Sequence, residues 1–196
     1  MKKAMLTAVM VFSACISGLA DNGWGLHWSY WNPADGKAAY GPGAKLSLEI
    51  MANAQLDMRA GYFNKIEMRK QGLEADLEVI PLELGLSYAQ TVHPMLDVFG
   101  GVGFGYYLMD GKMYDAQGQR FDVKPGDQIG YFANVGVEVA LALEAASYGA
   151  NRVALMFELL FRVVEANDLD LPTNTERFRS PSLGGPALNV GLMVRW

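Results

Sequence analysis

From Gly23 to Trp196 the chain alternates, an apolar residue and then a polar or small one, in segment after segment. The last segment shows it most plainly. Leu188, Val190, Leu192, Val194 and Trp196 are separated by Asn189, Gly191, Met193 and Arg195. A period of two is the spacing of a strand with one greasy face and one mixed face. The sequence ends on an aromatic with this strand still running, as the last strand of a barrel does when it closes against the first.

The same spacing predicts seven earlier strands. The first carries Trp24, Leu26, Trp28 and Tyr30 on one face, and the second Ala44, Leu46, Leu48 and Ile50. The third carries Leu56, Met58, Ala60 and Tyr62, and the fourth, over Leu77–Ala89, carries Ile80, Leu82, Leu84, Leu86 and Tyr88. The fifth carries Leu96, Val98, Val102, Phe104, Tyr106 and Leu108, the sixth Ile129 to Leu141, and the seventh Val153 to Val163. In the fourth, the apolar set moves from odd positions (Leu77, Val79) to even ones at Ile80. Pro81 beside that slip predicts a β-bulge, since proline cannot donate to a ladder.

Connections alternate in length. Loops are expected at Asn32–Pro42, Asn64–Ala75, Asp110–Asp127 and Glu165–Gly185; short turns are expected near Ala52–Gln55 and Gln90–Pro94, with a modest connection at Glu144–Asn151. Antiparallel neighbours then have long loops at one end and short turns at the other, as in outer-membrane barrels. The aromatics sort the same way. Trp24, Tyr88 and Trp196 fall toward the short-turn end, and Tyr30, Tyr62, Tyr106 and Tyr131 toward the other, where two interfacial belts are expected.

The expected fold is all-β: an eight-stranded antiparallel up-and-down transmembrane β-barrel. In hydrocarbon only helices and closed sheets satisfy every backbone group internally. The competing reading is a soluble eight-stranded barrel of the lipocalin kind, with its apolar face inward. The opposite face discriminates. It holds Lys45, Glu49, Asp57, Arg59, Glu83, Asp97, Glu138, Glu158 and Arg162, interleaved with glycine. A narrow lumen needs small residues and paired charges together, so these nine are the candidate lumen-facing charges.

Composition agrees with spread-out alternation. Half the residues are apolar (51%), yet the segment after residue 20 contains no run of the roughly 18 needed for a spanning helix. Met1-Lys-Lys, the apolar run Ala4–Ala14 and the small residues Gly18 and Ala20 read as a secretory signal at 1–20, with the barrel at 21–196. An N-terminal membrane anchor is the alternative. Cys15, the one cysteine, lies inside this signal. Cleavage before it, at Phe12-Ser-Ala-Cys15, is the lipoprotein alternative. Loss of Lys2 and Lys3 takes the formal charge from −5 to −7, which disfavours nucleic acid as a partner.

Val79-Ile-Pro-Leu-Glu-Leu-Gly-Leu-Ser-Tyr88, followed by Asp97-Val-Phe-Gly-Gly-Val-Gly-Phe-Gly-Tyr-Tyr107, resembles the fourth and fifth strands of the small outer-membrane β-barrel superfamily. That group includes OmpW-like, OmpX-like and OmpA-type barrels. Leu188, Val190, Leu192, Val194 and Trp196 resemble its terminal assembly signal, with Trp in place of the commoner Phe. The resemblance implies an outer-membrane protein of a Gram-negative-type bacterium. Its implied partners are outer-membrane lipid and lipopolysaccharide, periplasmic chaperones and the barrel-assembly machinery. It also implies that no peptidoglycan-binding domain of the OmpA kind follows.

Three features bear on chemistry. The inward charges read as a structural plug or as a narrow polar path or gate. His27 and Ser29, two apart on one strand face, resemble part of the Ser–His–acid arrangement of lipid A deacylases, though here they lie on the first strand and face the lumen. Gly100-Gly-Val-Gly-Phe-Gly105 continues as a strand instead of opening a helix, so it reads as lumen packing, not a phosphate loop. No spacing points to a metal site or cofactor. The expected function, by resemblance to the OmpW-like group, is passive passage or binding of small, apolar molecules, without enzymatic activity. The alternatives are a structural or adhesive surface barrel with a closed lumen, and a lipid A-modifying enzyme.

Overall fold

The computed structural model describes residues 22–70, 73–114, 120–123, 125–142, 152–166, 169–170, 177–178 and 181–196. The expected signal at 1–20, with Cys15, lies outside them. The strands are β1 (Gly23–Trp31), β2 (Ala39–Met51), β3 (Ala54–Gly61), β4 (Phe63–Lys70), β5 (Leu73–His93) and β6 (Leu96–Tyr114). They continue with β7 (Arg120–Val123), β8 (Gln128–Ala142), β9 (Arg152–Val163), β10 (Leu169–Asp170), β11 (Arg177–Phe178) and β12 (Gly185–Arg195).

β3 and β4 both pair with β5, and β7 and β8 both pair with β6, so each couple is one barrel stave with a break in it. The remaining staves are β1, β2, β5, β6, β9 and β12. β1 lies between β2 and β12, and β5 pairs with β6, so the ring closes as an eight-stranded antiparallel barrel. β10 and β11 form a separate small hairpin. At the seam, Trp196 N–H donates to the Asn22 carbonyl at 2.9 Å and Asn22 N–H to the Trp196 carbonyl at 3.1 Å. Asn22, Trp196 and the turns at 52–53 and 94–95 share one end, here the lower. Asn53 takes the left-handed conformation its turn requires (φ 66°).

The periodicity sorts the faces. In β1, Trp24, Leu26 and Trp28 are exposed and Gly25, His27 and Ser29 are buried. Leu159 and Phe161 of β9 are exposed, and Glu158 between neighbouring turns of the pleat is fully buried. Apolar side chains therefore face outward and charges inward, the arrangement of a barrel in hydrocarbon and the reverse of a lipocalin.

Two expectations need correction. The charged stretch Asn64–Ala75 is not a loop. Phe63–Lys70 and the strand from Leu73 continue the barrel wall upward, and the expected loops at Asn32–Pro42 and Asp110–Asp127 likewise contribute Ala39–Pro42, Asp110–Tyr114 and Arg120–Val123 to strands. Their extra backbone groups find partners in one tall hairpin, Glu74–Tyr114 against β6 and Leu73–Lys70 against β4. The region of 165–185 also holds the short β10 and β11.

Nor does Pro81 sit in a bulge. Its pairing with Tyr107 lies in an unbroken register from Glu74↔Tyr114 to Thr91↔Asp97. The irregularity lies on the partner stave, between Phe63 and Ile66, below which β3 stops at Gly61. Pro81 thus stands opposite the gap between Ala60↔Leu82 and Phe63↔Val79, where a missing donor is least felt. Tyr62, in that gap, donates its N–H to the Pro42 carbonyl instead.

The apolar set changes position at Ile80 because the two faces exchange character. Below that level β5 turns Leu82, Leu84 and Leu86 outward and Glu83, Gly85 and Ser87 inward. Above it, Ala75, Leu77 and Val79 are buried inside and Glu74, Glu78 and Asp76 face out. β6 makes the same exchange at the paired height, from Leu108 outside to Met109 and Met113 inside and Asp110 and Lys112 outside. The 21 residues of β5 span roughly 70 Å. Tilted like an ordinary barrel strand they rise about 50 Å, twice the roughly 25 Å apolar band of such barrels. The upper half stands above that band with its own apolar core.

Candidate functional site, a layered lumen

Reading up β9 gives the order of the layers. At the bottom Arg152 pairs with Asp97, and Arg195 reaches past β9 to Glu138, Nε to Oε2 at 2.6 Å and Nη2 to Oε1 at 2.7 Å. Next come Phe99, Met156 and Met193, a small apolar layer. Above it Glu158, with no exposed surface, accepts from four side chains: Lys45 Nζ at 3.4 Å, Arg59 Nη2 at 2.7 Å, Asn134 Nδ2 at 2.9 Å and Asn189 Nδ2 at 2.8 Å. Asp57 joins this layer, accepting from Ser47 Oγ at 2.7 Å and Arg59 Nη2 at 3.0 Å, with Lys45 at 3.3 Å. Higher again, Arg162 Nε donates to Glu83 Oε1 at 2.7 Å, and Tyr107 Oη donates to the same oxygen at 3.1 Å.

Two of these contacts join staves that are far apart in the ring. Arg59 on β3 and Glu158 on β9 are separated by β2, β1 and β12; Arg162 on β9 and Glu83 on β5 by β8 and β6. They therefore cross the lumen. An isolated charge in such a place is very costly, so matched pairs are what a dry interior permits. Lys45, Asp57, Arg59, Glu83, Asp97, Glu138, Glu158 and Arg162 are all buried and share these layers. Glu49 sits apart, half-buried at the lower end of β2, where its backbone N–H donates to Asn22 Oδ1 at 3.1 Å.

Arg195, Arg152, Asn134, Asn189 and Tyr107 complete the layers without having been singled out from sequence. Each lies at an inward position of its strand, so parity was the signal. Arg152 escaped because it borders the connection before β9.

The glycines make room for inward rings. A Cβ on Gly85 would stand 2.7 Å and one on Gly103 2.5 Å from the Phe132 ring tip, and one on Gly136 2.3 Å from that of Phe99. Gly100 to Gly105 stay in register within β6. Ser29 Oγ donates to Asn189 Oδ1 at 2.6 Å, so its hydroxyl serves the Glu158 layer and is not aimed at His27.

Over the ionic layers lies the large apolar cluster, with Trp31, Phe63, Ile66, Leu77, Tyr107 and Leu160 at its heart, all without exposed surface. Its floor is made of guanidinium faces. Arg162 Cζ lies 4.8 Å from the Trp31 ring and Arg59 Cζ 5.0 Å from the Phe132 ring, cation–π distances.

The outside of the upper extension is polar. A cleft of about 260 Å³ is lined by Lys65, Glu67, Met68, Glu74, Asp76 and Tyr114. Hydrogen bonds from Lys37 and from Lys65 hold the Glu67 carboxyl well below the usual carboxylate range, at about 2, and the bond to Glu67 raises Lys65 in turn. Among the described residues no group of His, Cys, Asp and Glu is placed to hold a metal ion.

Neither a family model nor a curated protein matches the sequence. Solved structures do match. OprG from Pseudomonas aeruginosa, an outer membrane protein, superposes with a TM-score of 0.66 at 12% identity, over 90% of this chain and 96% of that one. Neisserial surface protein A gives 0.54 at 11%, over 90% and 96%. The outer membrane protein AlkL, solved in lipid bilayers, gives 0.53 at 14%, over 92% of each chain. The ring closure, the outward apolar band and these superpositions agree: this chain has the fold of the small eight-stranded outer-membrane β-barrels.

Proposed function

We propose that the protein resides in the outer membrane as a barrel sealed to ions, and that its upper lumen takes in small apolar molecules from the outside. The observation that supports this most directly is the change of interior character with height. A lumen wall screened from lipid has no need of apolar side chains for membrane residence, yet above Glu83 and Arg162 the interior is apolar throughout its described part. Below, ion pairs cross the lumen at two levels and a third pair, Arg195 with Glu138, bridges β12 to β8 at the bottom, so the buried carboxylates there are each matched by a cation. The outward band would contact lipid and the inner end of lipopolysaccharide, and residues 1–20 would direct export. Ser29, held by Asn189, supports a reading without acyl-transfer chemistry.

The test has two arms on the barrel refolded in lipid. Planar-bilayer recording should show no steady conductance, and an apolar fluorescent probe such as a naphthylamine should bind saturably. An open-channel current would remove the sealed-lumen part; absence of saturable probe binding would remove the apolar-solute part. In that case a second reading gains: a closed barrel that displays its surface. The tall extension favours it, with a charged outside and a packed inside raised above the bilayer.

A further inference from the structure

We infer that His27 is the acid-sensitive point of the lumen: its protonation leaves the layer around Glu158 with one buried cation in excess and opens a leak for ions. This rests on the reading that the barrel is sealed at neutral pH, and adds what undoes the seal.

His27 is a buried titratable group that neither the ion pairs nor the apolar cluster use. It is 8% exposed and faces the lumen from β1. The nearby hydroxyl of Ser29 is engaged by Asn189. Glycine stands opposite His27 on both neighbouring strands, Gly43 on β2 and Gly191 on β12. A Cβ on Gly43 would lie 2.2 Å from His27 Nε2, so the imidazole tip occupies the space a side chain at 43 would fill. The ring therefore lies along the wall over β2, and its Nδ1 has no hydrogen-bond partner.

Charge balance decides what a proton there would do. The charged groups that act on the ring are Glu158 and Arg162 of β9, Arg59 of β3 and Lys45 of β2. Behind them stand Asp57 of β3, paired with Lys45 and Arg59, and Glu83 of β5, paired with Arg162. From β12 and β8 the layer receives only the neutral Asn189 and Asn134. Lys45, Arg59 and Arg162 thus balance Asp57, Glu83 and Glu158 while the imidazole is neutral. An imidazolium would be a further cation without a counter-charge, with an N–H at Nδ1 that nothing accepts. A buried unmatched charge is very costly, and the cost is relieved when water and a counter-ion enter or the existing pairs part. Either event breaks the dry layer that keeps ions out. Histidine ordinarily takes up its proton at higher pH than a carboxylate does, so an imidazole is the natural trigger in such a set.

The test records the refolded barrel in planar bilayers from about pH 7 to about pH 4, across the ordinary histidine value of about 6.5. In parallel, 15N spectra in lipid nanodiscs follow the imidazoles as protons bind. The chain has two histidines, and His93, exposed at the lower end of β5, is the internal comparison. The expected result is silence at neutral pH and a current, about tenfold or more above that baseline, that rises as the His27 signal titrates. His27→Gln, which stays neutral, should remain silent throughout. His27→Lys installs a cation at neutral pH and should conduct there. Gel mobility with and without heating shows whether both variants are folded barrels. A wild-type barrel silent across the range overturns the inference and leaves the seal in place. Equal acid currents in His27→Gln and wild type overturn it too, by assigning the leak to the carboxylates, and so does a folded His27→Lys barrel that is silent. A wild-type current already present at neutral pH removes the seal and the inference with it.

Discussion

Arg59 and Glu158 lie 99 residues apart in sequence and on opposite walls of the barrel, yet Arg59 Nη2 donates to Glu158 Oε1 at 2.7 Å and Arg59 Nε reaches both carboxylate oxygens at 3.2 and 3.3 Å. This forked contact ties β3 to β9 through the lumen. Removing one partner of a buried pair strands the other, at a cost of about 3–5 kcal/mol. Glu158→Ala leaves Arg59 and Lys45 sharing the single carboxylate of Asp57, one buried cation in excess, so it should lower the stability of the folded barrel by that amount in reversible urea unfolding from lipid vesicles. Glu158→Gln keeps acceptor and shape and should cost less. Equal stability of Glu158→Ala and wild type would show that the layer is not structural.

Close approach of backbones at the seam gives a second prediction. A Cβ on Gly191 would stand 2.2 Å from the Leu26 carbonyl oxygen and 2.6 Å from His27 Cα, both on the facing strand. Gly191→Ala should therefore push β12 from β1 and cost roughly 1–3 kcal/mol. Gly100→Ala, whose Cβ meets only the Asn134 carbonyl at 3.4 Å, should stay within about 0.5 kcal/mol of wild type. The same urea titration measures both.

Trp196 supplies the last reciprocal backbone pair of the seam, with Asn22. If Leu188, Val190, Leu192, Val194 and Trp196 are also read by the assembly machinery, deleting Trp196 should lower the folded fraction in cells far more than in detergent refolding. Gel mobility with and without heating gives both fractions; an equal drop would assign the residue to closure alone.

The Lys37–Glu67–Lys65 group on the upper extension predicts a pH response. Hydrogen bonds from Lys37 and Lys65 lower the folded carboxyl to about 2, below its unfolded value. A depressed carboxyl adds stability that is present above the unfolded pKa and lost as pH falls through the folded one. The window is therefore acidic, from the ordinary carboxylate range down to about 2. The group is solvent-exposed, so the effect on global stability is small and the site itself should be observed. Carbon-13 titration of Glu67 should give a midpoint near 2 in wild type and one near the ordinary value in Lys37→Ala, Lys65→Ala.

How much of this was readable beforehand depends on the distance over which a pattern acts. Alternation is local, so strand identity and facing could be taken from runs such as Val153–Val163 or Leu188–Trp196. Which charge meets which could not. Glu158 finds Arg59 only because strand tilt and stagger bring those heights together across the ring, and no spacing along the chain encodes that. The upper extension was misread for another reason. Ile66 and Met68 alternate with Lys65, Glu67 and Arg69 as strictly as any membrane segment, but the apolar members point inward, and the density of charge reads as a loop. Pro81 deepened the error, because its missing donor suggested a fault in its own strand when the gap lay opposite.

The exchange of faces at Ile80 and Leu108 gives the molecule a load line. These two residues are paired, and so are Glu78 and Asp110 one level up. Sinking the barrel by that single level would draw both carboxylates into hydrocarbon, and raising it would lift both aliphatic side chains into water. Each displacement is opposed, so the chain itself dictates how deep it rides in a bilayer, and a thicker or thinner membrane must adjust to the protein.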